Sequence, residues 1–159
     1  MAAIRWDFAV DVEADPAVVF AWLTDYGEDD HARPAFFRGA GTPPKRQRAA
    51  RRTVVARVGD TVEIEDSWGR RRFRAKVTLA PARNELRIEG DFGYDATWSA
   101  RPSLNGTRLE VRGTVAPGGL AGALMRLARK SFLRQMEADF NGHVEDLRES
   151  VGRPPARIQ

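Results

Sequence analysis

The side chain best placed for chemistry in this sequence is Asp66, a carboxylate within the alternating apolar pattern of residues 62–68. Alternation puts it on the same strand face as Val62 and Ile64. A buried carboxylate must accept hydrogen bonds or hold its proton more tightly, and either would let it bind a ligand hydroxyl or act as an acid. The other interpretation is that Asp66 lies in water at the open end of the sheet, beside the turn at Gly69.

Tyr94 is the second candidate, because its phenol could donate a hydrogen bond to a ligand carbonyl. A buried tyrosine often bonds a backbone group instead, and that interpretation stays open. Asp66 and Tyr94 are therefore the two candidate catalytic residues, both suited to handling protons.

Aromatic and sulfur-containing residues share the predicted strand face with these two, and others face it from the last helix. Together they would form a deformable apolar pocket. The predicted ligand-binding residues are Trp68, Phe73, Ile88, Tyr94, Trp98, Val111, Met125, Phe132 and Met136. Small residues between them could leave a void, namely Ala75, Gly90, Ala96, Ala100 and Gly113. If large side chains fill that space, the same residues form a packed core.

The histidines do not indicate a metal centre. His31 follows Glu28, Asp29 and Asp30, but the spacing matches no ligand motif, and carboxylates are expected at a helix start. His143 is expected to be structural or solvent-facing. The absence of cysteine excludes disulfides, thiolate catalysis and cysteine-based metal sites. With no glycine-rich phosphate loop or nucleophile elbow either, we expect no metal and no organic cofactor.

Two groups of basic residues lie outside the apolar pattern. One group consists of Lys45, Arg46, Arg48, Arg51, Arg52 and Arg57, and the other of Arg126, Arg129, Lys130 and Arg134. Beside Leu120, Leu124 and Met125, the second group would suit an anionic membrane surface or an acidic carrier protein. The alternative is a solvated helix face. Nucleic acid is not expected, because the aromatic residues needed for stacking point inward.

The elements that position these residues are mainly strands, predicted over residues 51–116 with turns between them. Residues paired across a hairpin must share a face. The pairs implied by the turn residues are Asp66–Phe73, Ile88–Ala96, Gly90–Tyr94 and Leu104–Thr107. In the ambiguous first hairpin, a three-residue loop would put Val54, Ala56 and Val58 on the inner face. The opposite face is charged, so the sheet is wet on one side.

Helices are predicted on both sides of this region. Alternation from Ile4 to Val12 indicates a first strand, and Asp15 before Pro16 caps a short helix. A second short helix is predicted over about 28–37. Apolar spacings of four and three over residues 120–151 predict one long helix of roughly 45 Å.

The length of 159 residues fits one domain with a real core. The formal net charge of +4 is modest. No apolar run approaches the ~18 residues of a membrane span, and the first residues lack the apolar core of a signal peptide. We therefore expect a cytoplasmic protein.

Residues 10–25 read VDVEADPAVVFAWLTD, which is a strand, a small residue with proline, an apolar helix and then Thr-Asp. With the order of elements and the closing helix, this opening resembles the helix-grip START and birch-pollen-allergen superfamily (SRPBCC). The likeness is greatest to its polyketide cyclase/dehydrase and lipid-transport branch. The resemblance implies an α+β domain over residues 1–152: a curved seven-stranded antiparallel sheet around a long C-terminal helix, with two short helices after strand 1. Residues 153–159 would form a flexible tail.

The resemblance also implies a function. Superfamily members hold lipids, sterols, polyketides or other hydrophobic molecules in an apolar cavity between sheet and helix, and a minority are enzymes. We therefore expect a carrier or sensor of a small hydrophobic ligand. The alternative is an aromatase/cyclase-type enzyme acting on a polyketide-like substrate without cofactor. The sequence does not indicate the oligomeric state.

Overall fold

The computed structural model describes residues 3–25, 51–68 and 70–152. The strands are β1 (Ile4–Val12), β2 (Arg51–Val58), β3 (Thr61–Trp68), β4 (Arg71–Ala80), β5 (Glu85–Gly90), β6 (Tyr94–Ser103) and β7 (Gly106–Val115). The α-helices of this part of the chain are α1 (Pro16–Leu23), α2 (Gly119–Leu127) and α3 (Arg129–Gly152).

The strands form one seven-stranded sheet in the order β1-β7-β6-β5-β4-β3-β2, and all neighbours are antiparallel. Its inner face packs against α1 and α3, whereas its outer face carries ion pairs such as Glu65 with Arg74 and Arg87 with Asp95. This confirms the predicted helix-grip α+β fold, with a sheet that is wet on one side.

The hairpin pairings were predicted well in the middle of the sheet. Asp66 lies opposite Phe73 and Ile88 opposite Ala96, as expected. The β6–β7 pairing was wrong by two residues, because Ser103 pairs with Gly106 and Leu104 belongs to the loop. A shift of two keeps every residue on its predicted face.

Gly106 explains why that turn was misplaced. Its φ is +138°, and a Cβ there would overlap the backbone of Val12 and Ala14 at the end of β1. The glycine therefore allows β1 to approach β7 closely, and it does not form the tip of the turn.

The first hairpin contains a β-bulge at Val55, where the β2–β3 register shifts. Val54 lies opposite Ile64 on the inner face, but Ala56 lies opposite Glu63 and Val58 opposite Thr61. The expectation that Ala56 and Val58 face inward was therefore wrong. The extra residue moves them to the outer face.

The short helix α1 begins as predicted. The Asp15 side chain accepts a hydrogen bond of 2.8 Å from the amide of Ala17, and Pro16 is the first helical residue. Val19 and Leu23 of α1 are buried in the core. The second short helix predicted at about 28–37 lies outside the described residues, as do His31 and the predicted tail at 153–159.

The long C-terminal helix is present, but the backbone departs from helical geometry at Ala128 (φ −89°, ψ 15°), which separates α2 from α3. Hydrogen bonds of the α-helical type continue on both sides, from the Ala128 amide to Leu124 and from the Phe132 amide to Ala128. The predicted apolar stripe is buried along α3, at Phe132, Met136, Phe140, Val144 and Leu147. It is not buried along α2, where Leu120 and Leu124 are exposed.

No helix within the described ranges has the length and apolar character needed to cross a bilayer.

Candidate functional site

A buried ion pair lies on the inner face of the sheet. The guanidinium of Arg52 donates two hydrogen bonds to the carboxylate of Asp66, from Nε to Oδ1 at 2.8 Å and from Nη2 to Oδ2 at 2.9 Å. The two residues are opposite each other on β2 and β3, and their side chains are 4% and 0% exposed. The two-bond geometry offsets part of the cost of removing both charges from water.

This pair settles two open points of the sequence interpretation. The solvent-exposed alternative for Asp66 is wrong, because the residue is 0% exposed and Arg52 binds its carboxylate. Arg52 does not belong to an exposed basic group, because its position opposite Asp66 turns it inward. In the rest of that group, Arg57 is exposed and Arg51 begins β2 with a side chain that the structure does not describe, whereas the other members lie outside the described residues.

Tyr94 is also buried, at 3% exposure, and its ring contacts the rings of Trp6 and Phe73. Burial raises the pKa of its phenol far above the ordinary value, and the nearby carboxylate of Asp139 raises it further. The hydroxyl is therefore a neutral donor at physiological pH. None of the hydrogen bonds among the described residues involves it, so the expected bond to a backbone group is not formed there.

The helix α3 adds polar residues that the sequence analysis missed. Asp139 is buried and accepts a 3.1 Å hydrogen bond from Nε2 of Gln135. His143 is also buried, and its ring stands edge-on to Trp98 with centroids 5.9 Å apart. The expectation of a structural or solvent-facing His143 was incomplete, because the imidazole faces the sheet. The signal was the spacing, since 139 and 143 continue the stripe of 132 and 136.

These groups border a small cavity of about 20 Å³ between α3 and the sheet. Its lining consists of Trp6, Phe8, Tyr94, Trp98, Val111, Met136, Asp139, Phe140 and His143. Tyr94, Trp98, Val111 and Met136 were predicted from the sequence, and the other lining residues were not. A space of this size holds about one water molecule.

The remaining predicted ligand-binding residues lie around this cavity. Phe73, Ile88 and Phe132 are buried in the core, and Met125 is half-buried. Trp68 is the last residue of β3, and its side chain lies outside what the structure describes.

The small residues were expected to leave a void, but two of the glycines do not. A Cβ on Gly90 would overlap the Phe73 ring, and one on Gly113 would overlap the Trp6 indole. Each glycine therefore accommodates an aromatic ring that covers it, and these positions contribute packing.

Metal ligands are not grouped in the described part of the chain, where no three His, Asp or Glu side chains could hold an ion. The chemistry available around the cavity is hydrogen bonding by a neutral phenol and acid–base chemistry by a carboxylate and an imidazole.

Comparisons with known proteins agree with this architecture. The model of the family described as polyketide cyclase / dehydrase and lipid transport matches residues 4–149. No curated protein matches the chain. Among solved structures, the aromatase/cyclase Zhui from Streptomyces sp. R1128 is 12% identical with a TM-score of 0.70, covering 99% of this chain and 100% of that one.

Two further structures are similar. A protein from Thermus thermophilus is 20% identical with a TM-score of 0.65, covering 96% of this chain and 100% of that one. The di-domain aromatase/cyclase StfQ from the steffimycin biosynthetic pathway is 16% identical with a TM-score of 0.69, covering 93% of this chain and 50% of that one. At these identities the likeness establishes the fold.

Proposed function

Because the chain belongs to the polyketide cyclase / dehydrase and lipid transport family, we propose that it binds a small hydrophobic molecule between the sheet and α3, as a carrier or sensor. The ligand would be lipid-, polyketide- or isoprenoid-like. Its apolar part would contact Trp98, Val111 and Met136, which already line the space there.

The observation that carries this proposal is the Tyr94 hydroxyl. It is a neutral donor on a residue that is 3% exposed, and this residue borders a cavity whose lining is otherwise largely apolar. A donor in such surroundings forms a favourable hydrogen bond with an acceptor that enters the cavity. A ligand oxygen would be such an acceptor, so we expect the ligand to carry a carbonyl or hydroxyl group.

A ligand at this cavity would need additional space. Pockets for small organic ligands measure roughly 300 Å³ or more, whereas this cavity measures about 20 Å³. Met136 is unbranched and adaptable, and it lies directly on the cavity. The break at Ala128 gives the C-terminal helix a point at which it can shift. We therefore propose that binding moves α3 side chains away from Tyr94.

The experiment is native mass spectrometry of the purified chain, followed by extraction of any bound molecule. The expected result is an added mass that is lost on denaturation. Affinity would then be measured by displacement of the dye 8-anilinonaphthalene-1-sulfonate. Tyr94→Phe should weaken an oxygen-bearing ligand by roughly two- to tenfold. Thr97→Val, which removes a hydroxyl from the other face of β6, is the matched control. If the chain shows no adduct and binds no dye, the interior is simply a filled core.

The second candidate function is an aromatase/cyclase-type enzyme acting on a polyketide-like substrate. Asp139 and His143 favour it, because they border the same cavity as Tyr94 and can accept or donate protons. Asp66 fits this role less well, since Arg52 already engages both of its oxygens. In a cyclisation assay, unchanged turnover for Tyr94→Phe, Asp139→Asn and Asp66→Asn would remove this mechanism.

The cytoplasmic location, the absence of metal and organic cofactor, and the lack of nucleic-acid binding remain predictions of the sequence. An acidic carrier protein as partner also remains a prediction.

A further inference from the structure

Helix α2 exposes three leucines along one side. Leu120, Leu124 and Leu127 are 77%, 57% and 86% exposed. Their spacings of four and three residues place them together on one helical face, here named the leucine face. A cluster of large apolar side chains in water marks a surface that another body covers.

The chain that follows this face is positively charged. Arg129, Lys130 and Arg134, here named the basic row, are exposed, and none of them forms an ion pair in the part of the chain that the structure describes. The sequence contains no Asp or Glu from residue 111 to residue 136. Lys130 and Arg134 are four residues apart on a helix, where like charges repel. An anionic partner would relieve that repulsion.

The packing of α2 holds the leucines outward. Gly122 is buried, and a Cβ there would overlap the carbonyl oxygen of Pro117. The helix thus lies with its glycine side against the chain that leads into it. Gly119, with a φ of +63°, and the break at Ala128 bound this segment on either side. The leucine face is therefore on the side away from Pro117, and its three side chains stay exposed beside the described part of the chain.

We propose that the leucine face and the basic row together dock on an anionic membrane surface. Interfacial helices combine apolar side chains that enter the acyl boundary with cations that contact anionic headgroups. Both parts are present here within residues 120–134. A second copy of the chain is a poorer occupant, because dimerisation through this face would bring two basic rows together. The docking does not depend on a bound ligand.

The first test is vesicle flotation of the full chain. Vesicles contain either phosphatidylcholine alone or phosphatidylcholine with about one-third phosphatidylserine. The wild type should bind only the anionic vesicles, and added salt should weaken binding. Lys130→Gln/Arg134→Gln should reduce partitioning about fivefold per charge removed. The control Lys76→Gln/Arg101→Gln, which removes the same charge from the outer face of the sheet, should bind like the wild type.

The leucines are tested separately. The triple variant Leu120→Ser/Leu124→Ser/Leu127→Ser should lose at least about tenfold in partitioning. Leu104→Ser changes a still more exposed leucine, in the β6–β7 loop, and should have no effect. Because all four leucines are exposed, these variants should fold, and circular dichroism would verify that they do.

Insertion can be distinguished from adsorption by a single label. The chain has no cysteine, so Leu124→Cys and Leu104→Cys each provide one unique attachment point for the environment-sensitive dye NBD. On phosphatidylserine vesicles the dye at 124 should shift to shorter wavelength, and the dye at 104 should not.

Three results would overturn the proposal. The first is a wild-type protein that does not bind anionic vesicles, whether or not it binds a purified acidic carrier protein instead. The second is a bound protein whose dye at 124 stays in water, which indicates electrostatic adsorption alone. The third is a wild-type dimer that the leucine variant abolishes, which assigns the leucine face to a second copy.

Discussion

The buried pair of Arg52 and Asp66 gives the sharpest prediction about stability. Arg52→Met leaves a carboxylate with 0% exposure without its cation, and Asp66→Val leaves a buried guanidinium without its anion. Breaking a buried pair on one side typically costs about 3–5 kcal/mol. Since the free energy of unfolding of a domain is typically about 5–15 kcal/mol, either single change removes a large part of the stability.

The double variant is the decisive measurement. Arg52→Met/Asp66→Val removes both charges and replaces them with apolar side chains, so neither partner is left as an unpaired buried charge. Such replacements are often neutral or stabilising. We therefore expect a cost below about 2 kcal/mol, far less than the sum of the two single variants.

Urea denaturation followed by circular dichroism measures each free energy of unfolding. The matched control is the pair of Arg87 and Asp95, which has the same two-bond geometry, at 3.0 and 2.6 Å, but side chains that are 52% and 41% exposed. The free energy of unfolding of Arg87→Met should be close to that of the wild type. If Arg52→Met costs no more than Arg87→Met, or if the single costs simply add in the double variant, the reasoning about a desolvated, coupled pair fails.

Two further predictions concern the cavity region. The pKa of Tyr94 is raised in the folded state, so its contribution to the free energy of unfolding is fully present below the ordinary value of 10.0 and is lost as pH rises above it. Urea titrations between pH 8 and pH 11 should therefore show a smaller loss of stability for Tyr94→Phe than for the wild type. Identical slopes of stability against pH would contradict the assignment. Gly113→Ala should destabilise by about 1–3 kcal/mol, because its Cβ overlaps the Trp6 indole. Gly142→Ala on α3 has open space around its Cβ and should be neutral or stabilising by up to about 1 kcal/mol; equal effects of the two glycine changes would argue against a ring seated on Gly113.

The sequence was sufficient for the architecture because two periodicities are clear in it. Alternation along the strands and the apolar stripe at Phe132, Met136 and Phe140 each specify one buried face. The misplaced turn at Leu104 left the predicted faces unchanged, because it shifted the β6–β7 pairing register by two residues.

The polar part of the site was less predictable, and the bulge at Val55 shows why. The three-residue loop considered for the first hairpin put Val54, Ala56 and Val58 on the inner face, and the bulge moves Ala56 and Val58 to the outer face. Arg52 shares the inner face with Val54 in either case and lies opposite Asp66. It was missed because the basic residues around it favoured a surface position. Asp139 and His143 were missed for a different reason, since polar side chains within an apolar stripe were not counted as part of it.

The same bulge has a consequence for the molecule in solution. Among the described strands, β2 is at the edge of the sheet and pairs only with β3, and an edge strand offers unpaired amides and carbonyls to any other extended chain. The irregular spacing at Val55 prevents a straight foreign strand from matching those groups in register. Deletion of Val55 would make β2 a regular edge strand, to which strands of other chains could add and so cause aggregation.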